Sequence, residues 1–597
     1  MATVITSTDI GGLFLGFGGS PLKLMAKEQL RGQSYIVVYG DKFIPELNGV
    51  ELYSKYNFAK TTTPYGQPLS STNRFTVFVA PGVYVLDPND ITLDTPYIDI
   101  ISLSGESDVV ISSAVSNIPI TVDTSDIRLR GFDLVSQAIH ITSSYSNNYF
   151  ENIIGGNFNF SHPSSNGDIA GNFKNCVGGL YSFGDADNGQ TSVSSTFENC
   201  IADNYSFGYT LTGSNLKNCT GGFSSFGLNE LLDSTLTDCT AAGDSFGTNS
   251  KISASILTNC SAGSYSFGRT NGASQILNST LINCTALEGS FSNYIENCTF
   301  KNCEGGLYSF ANSDNGETLI NSTLENCTAD NYSFGYTLTG SNLKNCTGGF
   351  SSFGLNELLD STLTDCTAAG DSFGTNNKIS NSILTNCSAG SYSFGRTNGT
   401  TQLLDSTFID CTSLEGSFSN YIENCTFRNC KADGYSFGKT SDLATVSEIY
   451  NTTFTDCQAR DFSFGVRNGI DVTFTNCTAG IESFGADQAN GTYKNCTTGT
   501  DSFGAGTQGW STLIAGGKFY NCVADANSFG TNFANGVFHY CLCNGGGGFQ
   551  GGAQSGMGGN AYYTTGISSA IVGTAIYCSD GSLNPVNVGL TSTTNNI

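Results

Sequence analysis

The side chains able to do chemistry in this 597-residue chain are mainly carboxylates, thiols and a few arginines. Two carboxylates facing one cleft can hydrolyse a glycosidic bond, one giving a proton and the other activating water or attacking. The candidate pairs are Asp185 with Asp187, Glu198 with Asp203, and Glu230 with Asp233. The last two recur as Glu325 with Asp330 and Glu357 with Asp360, and Arg269 recurs as Arg396. A cleft is usually one of a kind, so a copied acid reads as a solvated surface residue. The chain is therefore read as leaning away from catalysis, with no catalytic residue assigned. With only three histidines, no metal or cofactor is assigned either. Nothing matches a nucleophile–histidine pair, and the glycine-rich tail lacks the strand–helix context of a phosphate loop.

The elements that hold these residues are set by a repeat. From Cys176 to Phe529 a unit ending in Ser-Phe-Gly recurs 17 times, and each Phe lies seven residues after a Cys. Gly follows the Phe in 14 units, the exceptions being Ser292, Ala311 and Ser419. The mean step is about 21 residues, too short for helical repeats and lacking their 3.6-residue apolar spacing. A second period of 127 residues lies over the first, with 172–298 duplicated at 299–425 and residues 202–249 identical to 329–376. A fold that survives such copying extends along one axis, each unit touching its neighbours. Units rich in Thr, Ser, Asn and aromatics suit short strands joined by tight corners. The reading is an all-β parallel β-helix with small caps at both ends.

The corner is legible in Leu216-Lys217-Asn218-Cys219. With Leu216 inward, simple alternation would turn Cys219 outward. A left-handed residue at Asn218 resets the phase, and Asn and Asp tolerate that conformation best. Asn199, Asp238 and Asn259 fill the same slot. Turns stack at about 4.8 Å, so each position becomes a ladder. The expected ladders are Asn199, Asn218, Asp238 and Asn259; Cys200, Cys219, Cys239 and Cys260; and Phe207, Phe226, Phe246 and Phe267. The Phe column is read as core, the Ser before it as satisfying backbone groups, and the following Gly as supplying positive φ. The residue two before the Phe varies (Tyr205, Ser224, Asp244, Tyr265) and is read as facing solvent.

Column neighbours about 4.8 Å apart at Cβ are too distant for disulfides, so the cysteines read as small buried hydrophobes. Cys541, Cys543 and Cys578, which leave the register, are the candidates for disulfides. Asn-Cys-Thr triplets are formal glycosylation sites, more simply explained as corner residues.

Residues 1–74 form a distinct segment, with a short helix expected from Ser20-Pro21 and Gly32 after its end. Residues 75–171 read as irregular aliphatic first coils, 172–530 as the regular coils, and 531–597 as a glycine-rich cap or trimer contact where the register decays. The stretch Phe75-Thr76-Val77-Phe78-Val79-Ala80-Pro81-Gly82-Val83-Tyr84 resembles the opening of pectin-lyase-like right-handed β-helix proteins. The resemblance spans about 75–530 and implies the right-handed coil. It also implies that lyases and glycoside hydrolases share the scaffold, pectate lyases using aspartates that hold Ca²⁺ plus an arginine base.

Composition narrows the function. Lys and Arg total 24 against 50 Asp and Glu, a net charge of −26 with no basic cluster, which excludes a duplex nucleic-acid binder. No run of 18 apolar residues exists, so no helix is expected to cross a membrane. Met1 to Asp9 lacks Lys and Arg and does not read as a secretory signal. Copied turns, thiols and a distinct N-terminal segment are similar to bacteriophage tailspikes and tail fibres, or fibres of large DNA viruses. That resemblance implies a homotrimeric virion appendage, residues 1–74 joining other virion proteins and the solenoid reaching a host-surface glycan or receptor. The alternatives are a polysaccharide depolymerase on the same scaffold and a bacterial surface adhesin. A single Trp510 weakens a Trp-lined glycan groove, though 27 tyrosines can substitute.

Overall fold

A computed structural model describes most of residues 34–544, apart from short stretches such as 439–447 and 504–513, together with strands Val4–Ile5, Gly558–Tyr562 and Val572–Ile576. It is a parallel β-solenoid, as the repeat predicts. The chain divides into two compact units, 1–292 and 293–597.

In the first unit one strand of each turn pairs in parallel with the next. Val77, Ile100, Leu129 and Phe150 are in register, and Phe150 leads on to Phe173, Phe197, Leu216, Leu236, Leu257 and Leu281. The aliphatic first coils and the later turns thus share one column. The first coils contribute the strands Phe75–Val79, Gly82–Val85, Ile91–Leu93, Ile98–Ser102, Val109–Ser112 and Ile120–Val122. In the second unit the same column runs Phe300, Leu324, Leu343, Leu363, Leu384, Phe408 and Phe427.

One turn shows why this sequence bends where it does. Strand Glu230–Leu232 buries only Leu231, and strand Thr235–Thr237 buries only Leu236. Between and after them Asp233 (φ 48°) and Asp238 (φ 55°) take left-handed conformations. Asp244, Phe246 and Gly247 follow at φ 48°, 63° and 67°. The sequence assigns positive φ to the Gly; the structure assigns it to the Phe as well. A left-handed non-glycine residue costs about 1–2 kcal/mol. Full burial of a Phe contributes about 1.5–3 kcal/mol and an aromatic pair about 0.5–1.5 more, which outweighs that cost. The rings do stack: Phe207–Phe226, Phe226–Phe246 and Phe246–Phe267 have centroids 4.6, 4.9 and 4.7 Å apart. In the second unit Phe334–Phe353 and Phe353–Phe373 stand at 4.6 and 4.9 Å.

The serine before each Phe is buried, and on most turns its hydroxyl accepts the N–H of the matching serine one turn earlier, Ser309 Oγ having no partner. Ser225 N–H donates to Ser245 Oγ at 3.1 Å, and Ser245 N–H to Ser266 Oγ at 3.3 Å. The corner amides form an exposed ladder, Asn199 donating to Asn175 at 2.9 Å and Asn218 to Asn199 at 3.0 Å. Asp238 accepts from Asn259 at 2.9 Å but has no proton for Asn218, so each Asp interrupts the chain of bonds.

All 21 described cysteines are buried and outside any disulfide; Cys578 lies outside the described residues. Burial pushes the Cys219 and Cys425 thiols up, the latter to about 12. One expectation is corrected. The register does not decay at 539–543: Phe538 pairs with Phe519, and Cys543 with Ala524, so Cys541 and Cys543 remain buried column residues. Cys298 and Cys425 leave the cysteine column for a serine corner, their N–H groups donating to Ser322 Oγ and Thr452 Oγ1.

The expected helix at Ser20 lies outside the described residues. A different helix, α1, spans Pro45–Lys60. Its signals are Pro in the first turn, Glu46 near the N-terminus and Lys60 in the last turn. Leu52, Tyr56 and Ala59 are buried as α1 packs on the strands at 34–38, 75–79 and 82–85. Gly49 permits this approach, because a Cβ there would meet the Val85 carbonyl oxygen at 1.8 Å. Gly558–Tyr562, inside the glycine-rich run, forms a strand paired with Val572–Ile576.

Candidate functional site

The carboxylates singled out in the sequence are spent locally. Asp185 is buried and caps its own loop, accepting from the N–H groups of Asp187 (2.9 Å) and Asn188 (3.3 Å) and from Asn188 Nδ2 (2.6 Å). Its proposed partner Asp187 is exposed. Glu198 pairs with Lys174 at 3.2 Å and Glu325 with Lys301 at 3.3 Å, while Asp203 and Asp330 are exposed. Glu230 faces Lys251 at 3.9 Å, Glu357 accepts from Asn377 at 2.5 Å, and Asp233 and Asp360 are exposed left-handed corner residues. No pair is thus brought together as two carboxylates facing one cleft. Among the described residues no group of three or more His, Cys, Asp or Glu is placed to hold a metal.

The arginines that repeat lie elsewhere, on an outward face built from the variable position two before each core Phe. That position is half-buried, and its positive φ aims the side chain away from the core. Where it is aromatic on successive turns the rings stack. Phe158, Tyr181 and Tyr205 form one run, at 4.9 and 5.3 Å. Tyr308–Tyr332 at 5.4 Å and Tyr435–Phe462 at 5.0 Å form others in the second unit. The first run stops at Ser224 and Asp244, and the column resumes with Tyr265, over which the Arg269 guanidinium lies at 4.9 Å. In the second unit Tyr332 is followed by Ser351, Asp371 and Tyr392; Arg396 lies 5.5 Å from the Tyr392 ring and its Nη2 is 2.5 Å from Asp371 Oδ1.

Beside each break is an exposed ring. Phe223 and Phe350 are each 55% exposed. Each is anchored by its N–H, which donates to Asn204 or Asn331 Oδ1 at 2.7 Å. The rings overlie Gly243 and Gly370, where a Cβ would come within 3.1 and 3.0 Å of them. Aromatic faces beside a carboxylate and a guanidinium can hold a ligand with both an apolar face and hydroxyls. Arg269 and Arg396 are recognisable as copies in the sequence. The signal that finds the rest is the order Tyr, Ser, Asp, Tyr down the variable column, legible only once that column is known to be a surface line. Trp510 lies outside the described residues.

No family model matches this chain, and no curated protein matches it. Several solved structures do. ORF18 of Geobacillus virus E2 is 11% identical over 62% of this chain and 61% of its own, with a TM-score of 0.14. The catalytic unit of a thermostable GH87 α-1,3-glucanase from Streptomyces thermodiastaticus is 10% identical over 92% and 66%, with a TM-score of 0.12. A double mutant of the tailspike protein of E. coli bacteriophage HK620 is 10% identical over 92% and 76%, with a TM-score of 0.16. The match spans under two thirds of the length of the first of these.

Proposed function

We propose that the chain is a glycan-binding solenoid of a virion appendage, acting in attachment to a host surface rather than in catalysis. The observation that carries this reading is the outward aromatic face. Tyr181 with Tyr205, and Tyr308 with Tyr332, are held one turn apart by a core that fixes their spacing. The buried columns serve only the scaffold, and the copied acids serve corners and ion pairs. Several weak aromatic contacts within one chain add through effective concentration. On this reading residues 1–74 join the chain to other virion proteins, and three copies assemble.

The test is retention of the purified full chain on immobilised bacterial surface polysaccharides, with released products analysed for new reducing ends or unsaturated sugars. The reading expects retention without release. Release of shortened chains turns it into a depolymerase, and absence of retention on every polysaccharide removes glycan binding. Electron microscopy of particles labelled with an antibody to residues 1–75 checks the virion assignment.

A further inference from the structure

We propose that the 127-residue duplication copied a binding notch, so that the chain carries two seats built from the same residues, each for one uncharged pyranose ring. One seat is Tyr205, Phe223, Asp244 and Arg269; the other is Tyr332, Phe350, Asp371 and Arg396. This rests on the glycan-binding reading above and names where on the surface that binding occurs.

The notch arises from what is missing in the column. Tyr181 stacks on Tyr205 at 5.3 Å, but the next turn offers Ser224 in place of a ring. With turns about 4.8 Å apart, a serine leaves the far face of Tyr205 without an aromatic cover over about one ring thickness. The floor beyond is Asp244, and the far wall is the guanidinium lying on Tyr265 at 4.9 Å. Phe223, turned out over Gly243, closes one side. A pyranose has matching surfaces: a C–H face for the rings, and hydroxyls that donate to a carboxylate and accept from a guanidinium.

Three further observations point the same way. Asp244 Oδ1 and Arg269 Nε have no hydrogen-bond partner in the first seat, and Arg396 Nε has none in the second, where Asp371 Oδ1 instead holds Arg396 Nη2. Asp and Arg cancel in charge within each notch, and a chain of net charge −26 repels an acidic sugar, so the fitting occupant is neutral. Finally, both copies retain the exposed Phe at the same 55% exposure, beside the same Tyr, Asp and Arg. The scaffold does not need that ring, which projects from the surface instead of filling the core.

The experiment uses the full chain and five probes: the methyl pyranosides of glucose, galactose, mannose, N-acetylglucosamine and rhamnose. Binding is read by saturation-transfer NMR and stoichiometry by titration. The parent binds at least one probe at two sites per chain. Phe223→Ala or Phe350→Ala alone leaves one site of unchanged affinity, and the double variant loses at least about tenfold, the scale of an aromatic anchor. Tyr205→Ala with Tyr332→Ala repeats the loss, and unchanged melting temperatures show that the variants fold. Unchanged binding in the double variants, or a parent that binds none of the five, overturns the notch. If that parent is still retained on polysaccharide, the attachment reading survives; if it is not, both fall.

Discussion

The two copies of the 127-residue block differ instructively in one loop. In the first, Gln190 Oε1 accepts the Asp185 N–H at 2.8 Å, and the Asp185 carboxylate caps the N–H groups of Asp187 and Asn188. In the second, acid and amide have changed places. Asn312 Oδ1 accepts the Asp314 N–H at 2.9 Å, and Glu317 stands where Gln190 stood. Glu317 Oε2 has no hydrogen-bond partner, and burial alone pushes this carboxyl from 4.5 up to about 8. The Cys, Ser and Phe columns survived duplication unchanged, whereas the loop between them exchanged a satisfied acid for an unsatisfied one. Column positions are constrained by the turns above and below, and loop positions only by their own few bonds.

That contrast can be broken at the columns first. Phe246→Ala and its copy Phe373→Ala are each expected to cost about 3–5 kcal/mol in denaturant unfolding. Equal losses are the prediction, because both rings are fully buried between stacked neighbours. Losses differing by more than about half would show that the copies have diverged in their cores. The loop offers the next largest effect. A carboxyl with its folded pKa raised holds its proton more tightly when folded than when unfolded. Its contribution is therefore neutral below pH 4.5 and destabilising progressively as pH rises to about 8, above which the slope vanishes. Glu317→Gln, which restores the residue of the first copy, is expected to flatten stability against pH across that window; an unchanged slope contradicts the assignment. The smallest effect repairs an interrupted ladder. Asp238→Asn gives Asn218 Oδ1 a donor and is expected to add about 0.5–1.5 kcal/mol, as is Asp365→Asn beneath Asn345. A melting temperature that falls in both would mean that the exposed amides do not bond along the column.

Most of the scaffold was legible because its constraints are periodic. The fixed Cys-to-Phe spacing gave the turn, and the Asn or Asp before each Cys gave the corner, since few other residues accept left-handed φ. Features that break the period were missed. Phe246 adopts φ 63° because stacking outweighs backbone preference, which no propensity predicts. Cys541 was misread because the glycine-rich sequence after it hides that its turn is still paired. Helix α1 has weak local signals and is held by strands distant in sequence. The candidate site was half visible. Arg269 and Arg396 stand out as copies, but no periodic signal marks Phe223 and Phe350 as exposed rings.

The account turns on identical side chains stacking from one turn to the next, and a double-mutant cycle measures that directly. Phe226 and Phe246 lie 4.9 Å apart, with Phe267 one turn further on. The cycle Phe226→Ala with Phe246→Ala is predicted to show a coupling of about 0.5–1.5 kcal/mol, and the cycle Phe226→Ala with Phe267→Ala almost none. Additivity within the first pair, or equal coupling in both, would contradict the stacked solenoid.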